Sequence, residues 1–426
     1  MASAVRPNGN ATQNGHVPNV VAPLDASRLK IERATTLKPI PAPGSYSFGD
    51  IHTDHMLVCK YHPSTGWSAP EIKPYGPLAI DPSSNCLQYA SNVFEGMKAV
   101  LNPEGKPCMF RPRDNMKRLL TSAKRMALPA FDPEALLTCI STLVTLESRW
   151  IPSLPDHRNS SLYIRPTMVG TKASIKVGAS DEALLYAIVT PVGPYFPVQK
   201  IGGVSLLAVS EHVRSWPGGT GGFKLGLNYS PGFVPQQAAA ALGYDQVLWL
   251  LDEDKKITEA GAMNFFAVAE RDDGGITIVT PPTDGTILPG ITRDATLVLL
   301  REHAKNPSAN LLNVPFPPNV QIEERPLTVN ELAAWAAKGQ LLECFGTGTA
   351  VLVVAIDRIG DFDVSDDFED TGSAVSEIKE KKRKMREITL KGGLVGLGPV
   401  GKALWDKLLA LKEGREQYMG WNVLCE

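Results

Sequence analysis

Residues 221–230 read GGFKLGLNYS, and the interpretation of the whole chain starts from this stretch. Lys224 lies in an apolar segment flanked by glycines, and Asn228 and Tyr229 follow it closely. A lysine shielded from water is suited to act as an amine nucleophile toward a carbonyl group. Taken alone, a lysine is most often a solvated surface charge, so this role depends on the other motifs of the chain.

The composition of the 426 residues excludes several classes of protein. Basic residues number 43 and acidic residues 45, which leaves a net charge of −2 and no basic field that would attract nucleic acid. A hydrophobic share of 43% is enough for a large buried core. Six cysteines occur without a CxxC pair, which argues against a zinc site and against a disulfide framework. We therefore expect a globular protein with reduced thiols and no metal.

Strand-like and helical segments alternate along the chain, which is typical of an α/β protein. Residues 115–126 and 133–146 have apolar side chains at helical spacing. The length suggests more than one domain. We predict a flexible tail at 1–30, a small α/β domain at 31–192, a connection at 193–203, and a large domain at 204–426 with a charged insertion around 361–395.

The first 30 residues are rich in Asn, Pro and Ser and contain two arginines, Arg6 and Arg28. Two arginines are too few for a typical mitochondrial presequence. No apolar stretch approaches the ~18 residues that cross a bilayer. We expect a cytoplasmic protein, and a mitochondrial location is left open.

Two glycine-rich segments imitate nucleotide-binding motifs. Gly396, Gly398 and Gly401 match Gly-x-Gly-x-x-Gly, but only 25 residues follow them and no clear strand precedes them. The segment PGGTGGFKLG lacks the Gly-Lys-Ser/Thr of a phosphate-binding loop. Neither segment predicts nucleotide binding.

Four other segments gain meaning together with GGFKLGLNYS: FEGMKAV at 94–100, ITEAGAMNFF at 257–266, LPGITRDA at 288–295 and ECFGTGTAVLV at 343–353. Each is weak alone, but their order and spacing resemble those of the branched-chain amino acid aminotransferases. These are fold-type-IV enzymes that use pyridoxal phosphate (PLP). The resemblance runs from about Ser47 to Ala355 and resumes briefly near the C-terminus. It implies an α/β (α+β) fold of two domains, of which the larger has a β-barrel-like core.

The resemblance implies PLP as cofactor and Lys224 as its Schiff-base lysine and the general base and acid of the reaction. Glu259 would keep the pyridine nitrogen protonated, because a nearby carboxylate favours that charged form. Backbone N–H groups at a helix N-terminus would bind the phosphate. The implied cofactor-binding set is Arg118, Lys224, Tyr229, Glu259, Ile291, Thr292 and Thr349.

A branched-chain substrate requires an apolar pocket together with groups that bind a carboxylate. By resemblance, the substrate-binding residues are His52, Tyr89, Phe94, Tyr163, Arg165, Ile175, Val177, Tyr195, Ala262 and Ala350. The resemblance also implies a homodimer in which Tyr89, Ile175 and Val177 reach the partner subunit's site. Amino acids and 2-oxo acids would be its small-molecule partners, with no role for nucleic acid or a membrane.

The chain departs from the family pattern at positions that bear on substrate range. His52 stands where the first strand usually carries an aromatic residue such as Phe, and Ala262 stands where relatives have Thr. A polar ring in an apolar pocket would disfavour aliphatic side chains unless the ring finds a partner. Val351 and Val354 occupy the positions of the CxxC found in mammalian members, so redox control through such a pair is excluded.

The sequence thus predicts PLP-dependent transamination of Leu, Ile and Val with 2-oxoglutarate, which yields branched-chain 2-oxo acids and glutamate. One alternative is another enzyme on the same scaffold, namely a D-amino acid or (R)-amine transaminase or an aminodeoxychorismate lyase. Tyr163-x-Arg165 and the segment 346–350 favour the branched-chain class. A second alternative is an inactive PLP-binding regulatory scaffold, which the joint presence of lysine, glutamate, tyrosine and arginine disfavours.

Overall fold

Two β-sheets organise the chain in a computed structural model, which describes residues 21–42, 48–152, 160–196, 202–317, 319–362 and 385–425. The strands of the first sheet are β1 (Lys30–Ile31), β2 (His55–His62), β3 (Gly66–Trp67), β4 (Glu71–Pro74), β5 (Asn92–Phe94), β6 (Met97–Leu101), β7 (Pro107–Phe110), β8 (Ser161–Gly170), β9 (Ala183–Val192) and β19 (Asn422–Leu424). Their order is β1-β4-β2-β9-β8-β6-β7-β19, with β3 on β2 and β5 on β8.

The second sheet closes on itself. Its strands are β10 (Val204–Val209), β11 (Gln246–Leu251), β12 (Lys256–Ala260), β13 (Met263–Glu270), β14 (Ile276–Thr280), β15 (Gln321–Glu324), β16 (Leu341–Gly348), β17 (Leu352–Phe362) and β18 (Met385–Thr389). The order β12-β11-β10-β17-β16-β13 becomes a ring because β12 also pairs with β13. This six-stranded barrel confirms the predicted barrel-like core of the larger domain.

Helices cover both sheets. They are α1 (Asn85–Tyr89), α2 (Pro112–Arg125), α3 (Pro133–Leu146), α4 (Phe233–Ala241), α5 (Ile291–Lys305), α6 (Val329–Ala337) and α7 (Pro399–Lys412). The side chain of Asp132 caps α3 by accepting hydrogen bonds from two first-turn N–H groups. Apolar side chains of α2 and α3, such as Met116 and Leu136, pack on the first sheet and are fully buried. None of the helices in the described ranges is long and apolar enough to cross a bilayer.

The glycine-rich segment before α7 has a structural role. Glu343 of β16 accepts hydrogen bonds from the backbone N–H groups of Val400 and Gly401, each at 2.8 Å. Its side chain therefore occupies the helix N-terminus, where a bound phosphate would have to lie. The sequence does not predict nucleotide binding at this motif, and the position of Glu343 is consistent with that.

The structure modifies the predicted domain limits at the two ends of the chain. Residues 1–20 lie outside the described part, but residues 21–30, predicted as tail, belong to the folded domain because Leu24 is buried in its core. At the other end, Leu424 of β19 pairs with Cys108 of β7, so the last strand joins the first sheet and not the second. The domain limits elsewhere stay a prediction.

Two other predicted segments are only partly described. Within the connection predicted at 193–203, residues 197–201 lie outside the described part. Within the charged insertion, residues 363–384 do so. The flanks of the insertion form a regular pair, since Phe362 of β17 lies opposite Met385 of β18.

Candidate active site

A cavity of about 390 Å³ lies between the two sheets and receives side chains from both. It brings together most of the residues that the sequence singled out. The predicted residues that line it are Phe94, Arg118, Tyr163, Arg165, Tyr195, Lys224, Tyr229, Ala262, Ile291, Thr292, Thr349 and Ala350. Residues that the sequence did not single out also line it, among them Phe48, Gln246, Asn264 and Thr347.

Lys224 is held in place by its backbone. Its N–H donates to Ser122 Oγ at 2.9 Å, and its carbonyl accepts from the N–H of Phe94 at 3.1 Å. Asn92 Oδ1 accepts from the N–H of Gly226 and lies where any side chain at that position would have to go, which explains the glycine. The loop is thereby fixed against β5, and the lysine side chain enters the cavity.

The amine of Lys224 meets a phenol. Lys224 Nζ donates to the hydroxyl of Tyr229 at 3.1 Å and lies 4.9 Å from the centre of the Phe94 ring. A tyrosine five residues beyond the lysine reaches it because the intervening residues 226–228 form a tight helical turn. The spacing seen in the sequence therefore has a direct geometric meaning.

Glu259 of β12 is buried, with 3% of its surface exposed, and it is not among the residues that line the cavity. It accepts a hydrogen bond from the N–H of Leu288 at 2.6 Å and forms an ion pair with Arg214 Nε at 3.0 Å. Burial raises the pKa of Glu259, while the positive charge of Arg214 opposes that effect. The carboxylate is thus held in a fixed position, where it favours a positive charge on a neighbouring group.

An anion-binding cup lies at the start of helix α5. Helix α5 begins at Ile291, and its N-cap residue Gly290 has no side chain that could satisfy the first N–H groups. Thr347 Oγ1 is buried and has no hydrogen-bond partner in the described part of the chain. Together with Thr292 and Thr349, this supplies the donors that a phosphate requires, so the residues present fit the phosphate of PLP.

Arg118, which the family resemblance places among the cofactor-binding residues, already has partners within the chain. It donates from Nε and Nη2 to the two carboxylate oxygens of Glu95 at 2.6 and 2.9 Å, and from Nη1 to the carbonyl of Pro289 at 2.9 Å. Burial alone would raise the pKa of Glu95, but the charge and hydrogen bonds of Arg118 outweigh it and hold that pKa below its ordinary value. Glu95 neutralises much of the charge of Arg118, a partnership that the sequence did not reveal.

The rest of the cavity has an aromatic wall. Tyr163 and Tyr195 contact the ring of Phe48 edge to face, with centroid distances of 4.9 and 5.2 Å. The guanidinium of Arg165 lies 4.7 Å from the centre of the Phe94 ring, and its buried Nε has no hydrogen-bond partner among the described residues. The wall therefore combines apolar surface with one cation that can receive a carboxylate.

His52 is not part of this lining, contrary to its predicted role in substrate binding. Its ring stacks on Tyr75 at a centroid distance of 4.6 Å. Burial lowers the pKa of His52, and the charge of Lys38 adds to the effect. The aromatic ring of the pocket comes from Phe48, four residues earlier, so the predicted polar replacement in the pocket does not occur.

Tyr89, Ile175 and Val177 also lie outside the cavity formed by their own chain. Their exposed fractions are 39%, 73% and 80%, which is unusual for such apolar side chains. The hydroxyl of Tyr89 donates to the carbonyl of Ile175, so the three residues belong to one surface. Their predicted role at a partner subunit's site stays a prediction.

Comparison with known proteins defines the class. Residues 92–359 match the family model of the amino-transferases of class IV. The branched-chain aminotransferase of the thermophilic archaeon Thermoproteus uzoniensis, solved with norvaline, has the same fold: the TM-score is 0.62 at 24% identity, over 87% of this chain and 100% of that one. Another branched-chain amino acid aminotransferase, solved with pyridoxamine 5'-phosphate, matches with a TM-score of 0.60 at 23% identity. The chain is a class IV aminotransferase.

More similar relatives narrow the family. The cytosolic branched-chain-amino-acid aminotransferase of Saccharomyces cerevisiae is 45% identical over 80% of this chain and 87% of its own length. The mitochondrial enzyme of Schizosaccharomyces pombe is 43% identical over 79% of this chain and 75% of its own length. The chain therefore belongs to the branched-chain-amino-acid aminotransferase family, as its motifs predicted.

Proposed function

We propose that the protein transfers the amino group of Leu, Ile or Val to 2-oxoglutarate with PLP as cofactor, giving branched-chain 2-oxo acids and glutamate. The observation that carries the proposal is Lys224 Nζ beside the hydroxyl of Tyr229, in a cavity that contains the anion-binding cup and is lined by Leu288, to which the buried Glu259 is hydrogen-bonded. An amine, a buried carboxylate and a set of anion-binding donors suit a molecule that has an aldehyde, a basic ring nitrogen and a phosphate. Bound PLP supplies an electron sink for the carbanion formed at the substrate Cα.

The residues of the chain have distinct tasks in this reaction. Lys224 Nζ would hold PLP, and as a free amine it would take the proton from the substrate Cα and deliver it to the cofactor carbon that bears the nitrogen. The Tyr229 hydroxyl orients that amine. Glu259, fixed by Arg214, favours a proton on the adjacent ring nitrogen.

Substrate selection follows from the wall of the cavity. Phe48, Phe94 and Tyr163 offer apolar surface for an aliphatic side chain. We assign Arg165 and the backbone N–H of Ala350, two residues of the cavity lining, to carboxylate binding, since an anion would satisfy the buried Nε of Arg165. A pocket of this kind accepts Leu, Ile and Val, and it also accepts 2-oxoglutarate through the cation.

A donor panel tests the proposal. The purified chain with PLP is mixed with single amino acids and 2-oxoglutarate, and glutamate is measured. We expect Leu, Ile and Val to exceed D-amino acids and (R)-amines. A half-reaction separates the lyase: a transaminase accumulates pyridoxamine phosphate, which absorbs at shorter wavelength than PLP, whereas a lyase retains PLP. No turnover with any donor would favour the regulatory scaffold and overturn the proposal.

We also infer a homodimer in which Tyr89, Ile175 and Val177 complete the site of the partner subunit. Their exposure and their shared surface support this arrangement. A variant with Ile175→Ser and Val177→Ser should raise the KM for leucine while Lys224 still binds PLP. The matched control is Val395→Ser, an exposed valine elsewhere in the chain. A monomer by analytical ultracentrifugation would contradict the inference.

The cellular location is proposed to be the cytoplasm. The comparison proteins include cytosolic and mitochondrial enzymes, so family membership does not decide between the two. All six cysteines are free thiols, which fits a reducing compartment. Fractionation of cells that express the full chain with a C-terminal tag tests the proposal, and recovery of the protein in mitochondria would refute it.

A further inference from the structure

Behind the anion cup lies a pair of buried lysines that the transamination does not use. Lys98 of β6 and Lys412 of α7 are 4% and 5% exposed, both line one narrow gap, and the charge of Lys412 contributes to lowering the pKa of Lys98. No ion pair among the described residues includes either of them. Burying one unpaired amine is costly, and burying two in contact requires a reason.

The pair borders the cup directly. A narrow gap behind the cup is lined by Lys98 and Lys412 together with Thr292 of α5 and Thr349 of the turn between β16 and β17. Lys98 Nζ also donates to the carbonyl of Ala350 at 2.6 Å, which ties this turn to the first sheet. The lysines therefore share one gap with residues of both elements that face the phosphate, and Lys98 is bonded to one of these elements.

The chemistry of an amine pair limits its charge. An ammonium has three donors and no lone pair, so two ammonium groups cannot hydrogen-bond to each other. Two ammonium groups also repel each other, so burial of both amines close together favours the neutral form of one of them. A dianion a few ångströms away would favour the charged form of both, because opposite charges stabilise each other strongly in a dry interior.

We propose that the Lys98–Lys412 pair is a positioning element of the phosphate cup, in which Lys98 fixes the turn at Thr349 and Ala350, and that the pair takes up one proton when a phosphate dianion binds. The inference rests on the proposed function, because it requires the cup to bind the phosphate of PLP.

The residues around the two lysines support the link between phosphate binding and proton uptake. Burial lowers the pKa of Lys412 to about 8, and burial together with Lys412 lowers that of Lys98 well below its ordinary value. The charged or titratable neighbours are Glu413, which pairs with Arg415 at 2.7 Å, and Cys108 of β7, whose pKa burial raises to about 11. Asn115 of α2 and Thr292 of α5 are uncharged. Of these groups, Lys412 is the one whose pKa lies near 8.

The sign of the pH dependence follows by linkage. Binding of the dianion raises the pKa of the pair, so affinity is full below the pKa of the free protein and declines as pH rises through the pKa of the bound form. Since the free protein has a pKa of about 8 at Lys412, the dissociation constant should rise up to tenfold per pH unit above that value. The phosphate of the ligand is already doubly charged there, with a second pKa near ~6.

Calorimetry on the full chain freed of PLP tests the proposal. Pyridoxamine 5'-phosphate is titrated at pH 8 in buffers of different ionisation enthalpy, which gives the number of protons taken up. The wild type should take up more protons than Lys412→Met, by up to one per site, and Lys402→Met should match the wild type, since Lys402 is an exposed lysine of the same helix. Lys98→Met should weaken the binding of pyridoxamine 5'-phosphate about tenfold at pH 7 and leave that of pyridoxamine unchanged.

A second experiment uses only the wild-type chain. Sulfate stays doubly charged between pH 7 and 9, so proton uptake on its binding to the wild-type chain reports on the protein alone. Uptake with sulfate supports the proposal, and no uptake overturns it. Equal uptake by wild type and Lys412→Met also overturns it, even if both variants bind the cofactor and transaminate. Failure of the wild type to bind pyridoxamine 5'-phosphate would instead refute the proposed function.

Discussion

Arg214 and Glu259 form an ion pair at 3.0 Å with side chains that are 5% and 3% exposed. Arg214 also donates to the carbonyl of Thr286 at 3.1 Å, which fixes the guanidinium from a second side. Glu259 is one of the residues that the family resemblance assigned to the cofactor, whereas Arg214 had no assignment. Burial raises the pKa of Glu259, and the positive charge of Arg214 opposes that effect, so the arginine favours the ionised carboxylate.

Replacing Arg214 with Met should therefore protonate Glu259 and slow transamination. We expect turnover to fall by at least about tenfold, which corresponds to about 1.4 kcal/mol of lost carboxylate stabilisation. The free energy of unfolding should also fall, by about 1–3 kcal/mol, because the neutral Glu259 and the carbonyl of Thr286 lose the hydrogen-bond partner that Arg214 supplied. Steady-state kinetics and urea unfolding measure the two effects. Arg301→Met, at an exposed arginine, is the control, and equal kinetics for the two variants would contradict the assignment.

Replacing Glu259 with Gln should leave PLP bound but slow transamination strongly. A neutral amide keeps an oxygen that can accept from the N–H of Leu288, yet it cannot hold a positive charge beside it. The absorption spectrum reports bound PLP, and kcat reports the chemistry. Unchanged turnover would remove Glu259 from the mechanism.

Substitutions distinguish the roles of Phe48 and His52 in substrate binding. Phe48→Ala should lower kcat/KM for leucine by about 10- to 200-fold, since removing apolar contact in a pocket costs about 1–3 kcal/mol. His52→Phe should leave the ratios among Leu, Ile and Val unchanged, because His52 stacks on Tyr75 outside the cavity. A donor panel on both variants measures this. Altered ratios for His52→Phe alone would restore His52 to the substrate site.

The Arg118–Glu95 pair should make stability depend on acid. The folded protein holds the pKa of Glu95 below its ordinary value of 4.5, so the stabilisation is present above that pH and is lost as pH falls through the lower, folded value. Urea unfolding of the wild type and of Glu95→Gln should differ most above about pH 5 and converge in more acidic solution. A difference that grows as pH falls would contradict this account.

Local patterns explain which site residues the sequence could predict. Lys224, Tyr229 and Thr292 lie in short motifs whose geometry is set by near neighbours, such as the tight turn at 226–228 and the start of α5. Their places in the cavity therefore follow from the motifs themselves.

The sequence did not predict the residues whose roles depend on partners far away in the chain. Arg214 acquires its role from Glu259, 45 positions away in the chain, and Lys98 acquires its role from Ala350 and Lys412. Glu95 lies between β5 and β6, where it is buried against Arg118, and this partner also lies outside its own motif. Phe48 had no recognisable signal, because an aromatic residue before a strand has no characteristic partner in sequence.

We expect Lys224 to be the lysine that carries the cofactor. Borohydride reduction of the PLP-loaded chain, followed by proteolysis and mass spectrometry, locates the lysine that bears the reduced cofactor. We expect the label on Lys224, whose amine lies 3.1 Å from the hydroxyl of Tyr229 inside the cavity. A label on Lys98, Lys412 or any other lysine, with Lys224 unmodified, would contradict it.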